Sequence, residues 1–427
     1  MLVEAQRNRG ALRRVTGLAR STPGRLSLLA LLLIVVSLLV GAVTGWSVQR
    51  RSDALEALAD RSEPLAFAAQ EVYRAMADAD ATASSAFLSG GVESAALRAR
   101  YEADVAKAAA ALSAATGEIT RSPELTRALS TLSGQLPVYT GLVETARAHN
   151  RQGNPVGAAY LREASTVMRT RLLPAARELY GVETRNVVRG LEDAGSLPWP
   201  ELLPVVLALL VLLLAQRYLT RKTNRVLNPG LVVATALTVV SLLWVLVASL
   251  LVVHNASASK DEATVVDLLA RARIATLTAR GDETLTLVAR GSGATYEAEY
   301  VEADRALTDL LGRLRLVNGT PPVLEAVEHH QRWQQAHRGI RAADDAGDFT
   351  TAVALALGQD PRGAAAAFDA LDSDLVDAIG AARAELTDAI GRARAALGGA
   401  VPAVVVLALL SAAASVLGLW QRLKEYR

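Results

Sequence analysis

Residues 230–253 read GLVVATALTVVSLLWVLVASLLVV, twenty-four positions without one charged side chain. An α-helix rises ~1.5 Å per residue, so about 20 such residues cross the ~30 Å hydrocarbon layer of a bilayer. Working outward, three further apolar runs of similar length occupy residues 26–46, 198–216 and 400–420. The chain of 427 residues is 51% hydrophobic and 21% charged, with a mean hydropathy of +0.25, averages that hide this segregation. The sequence therefore predicts an all-α membrane protein with four transmembrane helices. The first run is longer than a signal-peptide core and is followed by no small-residue cleavage site, so it reads as an uncleaved anchor.

Orientation follows from the short flanks. Residues 1–25 carry six arginines against Glu4, residues 217–229 carry Arg217, Arg221, Lys222 and Arg225, and the tail carries Arg422, Lys424 and Arg427 against Glu425. The long segments reverse this balance, with 17 basic and 18 acidic side chains over 49–197 and 15 and 22 over 254–399. The positive-inside rule then places both termini and the central loop in the cytoplasm of a multi-pass plasma-membrane protein. The expected order is a basic cytoplasmic N-terminus (1–25), a first span (26–46), an extracytoplasmic domain (47–197), a second span (198–216), a basic cytoplasmic loop (217–229), a third span (230–253), a second extracytoplasmic domain (254–399), a fourth span (400–420) and a tail (421–427). Trp46 and Trp199 fall at the outer boundary and Trp420 at the inner one, where amphipathic rings prefer to sit.

The two halves echo each other. Val35 to Val40 (VVSLLV) meets Val239 to Trp244 (VVSLLW) at an offset of 204; Asp80, Thr82 and Ser84 meet Asp282, Thr284 and Thr286 at 202; Glu102-Ala103-Asp104 meets Glu302-Ala303-Asp304 at 200; and Pro204 meets Pro402 at 198. Ordered, slowly drifting offsets are what small deletions leave in a tandem duplication. Each outer domain reads as helical. Ala, Leu, Arg and Glu dominate, and Phe368, Leu371, Leu375, Ile379, Ala382, Leu386 and Ile390 form one stripe at spacings of 3 and 4. Leu161, Met168, Leu172 and Leu179 form its counterpart. Breaks at Ser89-Gly90-Gly91, Arg121-Ser122-Pro123 and Asn150 to Pro155, with copies at Gly291-Ser292-Gly293, Asn318 to Pro322 and Asp344 to Gly347, predict an extracytoplasmic four-helix bundle in each half. Pro361 breaks or kinks the last helix of the second bundle.

Much chemistry is excluded. There is no cysteine, which removes disulfide frameworks, thiol catalysis and zinc–thiolate sites. No phosphate-binding loop, dinucleotide fingerprint, nucleophile elbow or HExxH helix is present, so no enzymatic activity, cofactor or nucleic-acid partner is expected. His329, His330 and His337 lack the i, i+4 spacing of a helical metal site and read as a solvated helix surface. The hydroxyls of the apolar runs read as bonded within or between membrane helices, and Gly41/Gly45 and Ala408/Ala412 form small-xxx-small faces suited to close packing.

The polar residues of the first helix in each outer domain carry the strongest hint of a site. Arg74, Asp78 and Asp80 lie within three turns, and Arg273 and Asp282 echo them. An arginine for a carboxylate and an aspartate for an ammonium group would suit a small amino acid, while the alternative is a solvated charged face. The distal loops, Ser89 to Glu93 and Asn150 to Pro155 with their copies, are equally suited to an outer partner protein. Arg217, Arg221, Lys222 and Arg225 are the candidate cytoplasmic output, the alternative being contact with anionic membrane lipid alone.

Membrane helices bracketing an external four-helix bundle resemble the sensing domains of bacterial chemoreceptors and sensor kinases. Here the inner segments of about 25, 13 and 7 residues leave no room for their HAMP or signalling domains. The tandem units, the short Arg-rich inner segments, the absence of cysteine and an Arg-rich, Lys-poor composition expected of an actinobacterial genome resemble the GlnX family of four-span membrane proteins. The resemblance covers the whole chain at the level of architecture and assigns no role to individual residues. It implies a relay in which an extracytoplasmic amino-acid-binding lipoprotein senses aspartate or glutamate and the cytoplasmic Ser/Thr protein kinase G receives the signal. A scaffold of an envelope complex and an accessory subunit of an amino-acid transporter are the rival readings. A pseudo-twofold monomer is favoured over a self-associated dimer.

Overall fold

Residues 22–90, 93–118, 123–196, 199–223, 228–358 and 360–424 are described by a computed structural model. Among them no strand occurs. The helices are α1 (Thr22–Ala57), α2 (Glu63–Leu88), α3 (Ala95–Glu118), α4 (Pro123–Arg151), α5 (Gly157–Val167), α6 (Leu173–Ala194), α7 (Trp199–Thr223), α8 (Pro229–Val288), α9 (Ala294–Val317), α10 (Pro321–Asp345), α11 (Phe349–Leu357), α12 (Ala364–Leu397) and α13 (Ala400–Lys424). A π turn, Leu58–Ser62, joins α1 to α2 without a break, and a second, Met168–Leu172, joins α5 to α6. Among the described residues four helical stretches are long and apolar enough to cross a membrane: Ser27–Leu88, Leu202–Arg221, Pro229–Val288 and Ala364–Gln421. The chain divides into two compact units, one of residues 1–57, 192–257 and 389–427, the other of 58–191 and 258–388.

In the first unit, α1 packs against α7 and α13. Gly41 permits this: a Cβ built there would lie 2.5 Å from the Ala408 Cβ. The hydroxyls behave as expected. Thr235, Thr238 and Ser415 donate to backbone carbonyls four residues earlier, and Thr238 and Ser411 meet at 3.3 Å across two helices. Gln216, overlooked in the sequence, adds an interhelical bond of 2.7 Å to the Thr235 hydroxyl. At the opposite end Arg51 donates from Nε to the Ala194 carbonyl at 3.1 Å, satisfying an orphan acceptor at the end of α6. Residues 217–223, read in the sequence as loop, continue α7. Arg225, residues 1–21 and Arg427 lie outside the described residues.

The second unit holds two helix sets, α2 to α6 and the stretch from residue 258 of α8 to α12, whose apolar faces merge into a single core. Every residue of the two stripes read from the sequence is buried. The same turn recurs in both sets. Gly153 (φ 69°) ends α4 with the Asn154 N–H bonded to the His149 carbonyl and its own N–H to Asn150; Gly347 (φ 78°) ends α10 with Asp348 bonded to Ala343 and Gly347 to Asp344. Both are Schellman turns, and only the left-handed residue following the helix makes them possible, which is why glycine occupies each. Pro361 falls in the break between α11 and α12.

One reading is corrected. His330 and His337 are 4% and 6% exposed, not solvated. They continue the inward stripe Val323, Ala326, His330, Trp333, His337 and Ile340, all buried. His330 meets Asp304 at 2.7 Å; His337 meets the fully buried Glu283 at 2.9 Å and Glu297 at 3.2 Å, its ring stacked on Tyr300 at 3.6 Å. Burial alone would lower the His337 pKa, but the two carboxylates outweigh it and raise it to about 9.

Candidate functional site

Between the two helix sets lies a cavity of about 720 Å³, walled by α2, the second π turn and α6 on one side and by α8 and α9 on the other. A volume of that size is typical of sites for small organic ligands. Its floor is apolar, with Leu173, Pro174, Ile274, Leu277 and Leu310 contributed by both sets.

Arg169 sits at one end, inside the π turn. A π turn inserts one residue into the helical repeat and so re-aims the side chains that follow, a device common at functional sites. The Arg169 guanidinium crosses to the second set and binds Asp282 and Glu299. Asp80 lies behind it on the first set, buried, accepting from the Ser165 hydroxyl at 3.0 Å. Burial raises the pKa of Asp80, against the pull of Arg169 and Ser165. Burial likewise raises Asp282 to about 7, opposed by the charge and hydrogen bond of Arg169 and assisted by Glu299 and Asp80. One Asp282 oxygen, Oδ2, is buried without a hydrogen-bond partner.

The other end of the cavity has a different charge. The Tyr180 hydroxyl donates to Asp267 across the seam at 2.7 Å, and Arg271 pairs with Asp267 at 2.8 Å. Arg177 donates to the Tyr73 hydroxyl at 3.2 Å, and among the described residues neither Arg177 nor Arg185 has a carboxylate within ion-pair distance.

The sequence candidates thus separate. Asp80 and Asp282 come together around Arg169. Arg74 and Asp78 lie in a buried network of the first set, with Arg74 3.5 Å from Asp78 and 3.7 Å from Asp104, and with Arg100 3.0 Å from Asp78. There burial, then the neighbouring Asp78, raises Asp104 to about 7. Arg273 forms a bidentate pair with Asp372 at 2.7 and 3.0 Å. None of these three lines the cavity. Arg169, Arg177 and Tyr180 were missed: each carries an ordinary helix-surface signature, and their partners lie up to 130 residues away. Of the candidate output residues, Arg217 and Arg221 are exposed on α7.

Residues 54–192 match the family model described as an actinobacterial sensor domain. The match covers one third of the chain and includes Asp80, Arg169, Arg177 and Tyr180, the first-set half of the cavity. A domain of that description points to sensing or signalling. The search of curated proteins and that of solved structures returned no match.

Proposed function

We propose that this chain is a non-enzymatic transmembrane signal relay in which the second unit is the extracytoplasmic input and the short basic segments are the cytoplasmic output. The carrying observation is the seam itself: a ligand-sized cavity whose two walls come from different helix sets, joined at one end by a single guanidinium. A ligand or partner that binds one wall better when the sets are shifted biases the position of α6 against α8. α8 is one helix from Pro229 to Val288, so such a shift reaches its membrane-length segment through continuous backbone hydrogen bonds. The repeated Schellman turns and the echo of Asp80 in Asp282 support a tandem duplication of one four-helix sensor bundle, and the charge asymmetry of the flanks supports cytoplasmic termini.

In this reading the input is amino-acid status, aspartate or glutamate, presented by an extracytoplasmic binding lipoprotein, and the receiver is a cytoplasmic Ser/Thr protein kinase docking on Arg217, Arg221, Lys222 and Arg225. Deleting the chain should abolish the nutrient dependence of phosphorylation of that kinase's substrates. If the dependence survives deletion, the relay is wrong; loss of amino-acid uptake with phosphorylation intact would move the chain to the transporter-accessory class, and loss of an envelope complex alone to the scaffold class.

A further inference from the structure

The cavity is electrically bipolar. At the Arg169 end three carboxylates, Asp80, Asp282 and Glu299, surround one guanidinium, and Asp282 Oδ2 has no hydrogen-bond partner although its side chain is 0% exposed. At the other end three guanidiniums, Arg177, Arg185 and Arg271, accompany Asp267, and the fifth lining carboxylate, Glu302, stands one turn along α9 from Glu299. Arg177 is exposed and has only a phenol to donate to among the described residues, leaving the fork that binds carboxylates bidentately. A buried, unpaired carboxylate oxygen calls for a donor, best a cationic one.

The separation of these two ends selects the ligand. The backbone of Arg177 lies eight residues after that of Arg169, which binds Asp282, a rise of about 12 Å along one helical run at ~1.5 Å per residue. The ammonium and carboxylate of a free α-amino acid are attached to one carbon and cannot span that gap. An extended peptide advances ~3.3–3.6 Å per residue, so three residues cover about 10–11 Å. The apolar floor between the two ends, Leu173, Ile274, Leu277 and Leu310, offers burial for aliphatic side chains in between.

We infer that the seam cavity binds a short peptide of about three apolar residues, its carboxylate on Arg177 and its ammonium group at Asp282. This deepens the reading of the cavity as an input site. It adds a direct ligand of a different class from the free amino acid expected through the lipoprotein.

The test is calorimetric titration of the full chain in nanodiscs, with trileucine as probe and empty nanodiscs as the blank. Trileucine should bind, and N-acetyl-trileucine, trileucine amide and free leucine should each bind at least tenfold more weakly. Arg177→Gln, at an exposed position that does not threaten folding, should make the free acid and the amide bind equally weakly. Asp282→Asn should remove the distinction between free and acetylated N-termini. Equal binding of leucine and trileucine, indifference to either blocked end, or no trileucine binding at millimolar concentration would overturn the assignment. Because the readout is direct binding, such a failure leaves the relay untouched, whereas loss of the relay in cells leaves a positive titration standing.

Discussion

The guanidinium of Arg169 in one helix set binds the buried carboxylate of Asp282 in the other, and with its second pair to Glu299 one arginine bridges the seam at the acidic end of the cavity. Asp282 is wholly buried and Arg169 is 22% exposed. The pair is therefore partly desolvated, and its value depends on whether Asp282 carries its charge.

Replacing Arg169 by Met should destabilise the second unit in a pH-dependent way. Asp282 titrates near 7 in the fold against an ordinary carboxylate value of 3.8, so it is mostly neutral at pH 5 and ionised at pH 8. A raised acid favours the folded state at low pH, and that advantage is lost as pH rises towards 7. At pH 5 the substitution removes little; at pH 8 it leaves a buried carboxylate unpaired, at a cost of about 1–3 kcal/mol given the partial exposure of the arginine. Thermal melting of both proteins at the two pH values checks this, and an equal loss at each would refute it. Adding Asp282→Asn should restore most of the stability at pH 8.

His337 gives the opposite end of the pH scale. Its pKa of about 9 means that the stability from its Glu283 and Glu297 pairs is full below about 6.5 and lost as pH rises through 9. His337→Gln should therefore cost about 2–3 kcal/mol at pH 6, since Glu283 keeps, among the described residues, only Arg280 and Trp333 as charged or donor partners. The gap from the wild type should close by pH 10. A gap that stays constant across this range would show that packing against Tyr300, not charge, is what His337 contributes.

The reach of sequence reasoning can be traced residue by residue. The membrane-length runs and the helical stripes were legible because each is a local pattern with one physical cause, burial of an apolar face. Asp80 and Asp282 were legible because a carboxylate amid alanines and threonines on an otherwise apolar helix needs an explanation. Their meeting around Arg169 was not, since residues 168–172, MRTRL, give no sign of a π turn and the partner lies in the other half of the chain. His330 and His337 were readable and misread: their 3 and 4 spacing with Trp333 and Ile340 put them on the buried face, and their polarity was allowed to override the period. Arg74, Asp78 and Arg273 look the same in sequence as the cavity carboxylates, but each finds its countercharge elsewhere within the second unit.

The contact of α1 with α13 makes two glycines behave differently. At Gly41 a side chain would meet the Ala408 Cβ at 2.5 Å, whereas at Gly45 the nearest atom, on Val405, is 3.7 Å away. Gly41→Val should overpack the interface by about 1–3 kcal/mol, lowering the melting temperature in nanodiscs, and Gly45→Ala should leave it near the wild-type value. Equal tolerance at both positions would mean that the two helices are not held this closely in a bilayer.

The output segment gives the last prediction. α7 carries Arg217 and Arg221, both exposed, and Lys222 to its end at Thr223, so these three bases lie in the last turns of a helix, while Arg225 lies outside the described residues. Cations near a helix C-terminus are favoured by its dipole and, beside a membrane, attract anionic head groups at roughly 1 kcal/mol each. Both effects stabilise topology without any partner, so charge removal must be separated from misinsertion. Changing Arg221, Lys222 and Arg225 to Gln while keeping the Arg-rich N-terminus preserves the stronger orientation signal. If this segment docks the kinase, the triple variant should insert normally, keep the protease sensitivity of the second unit and lose the phosphorylation response. An intact response would leave these bases as topological anchors and place the output on residues 1–25 or on the tail around Arg422, Lys424 and Arg427.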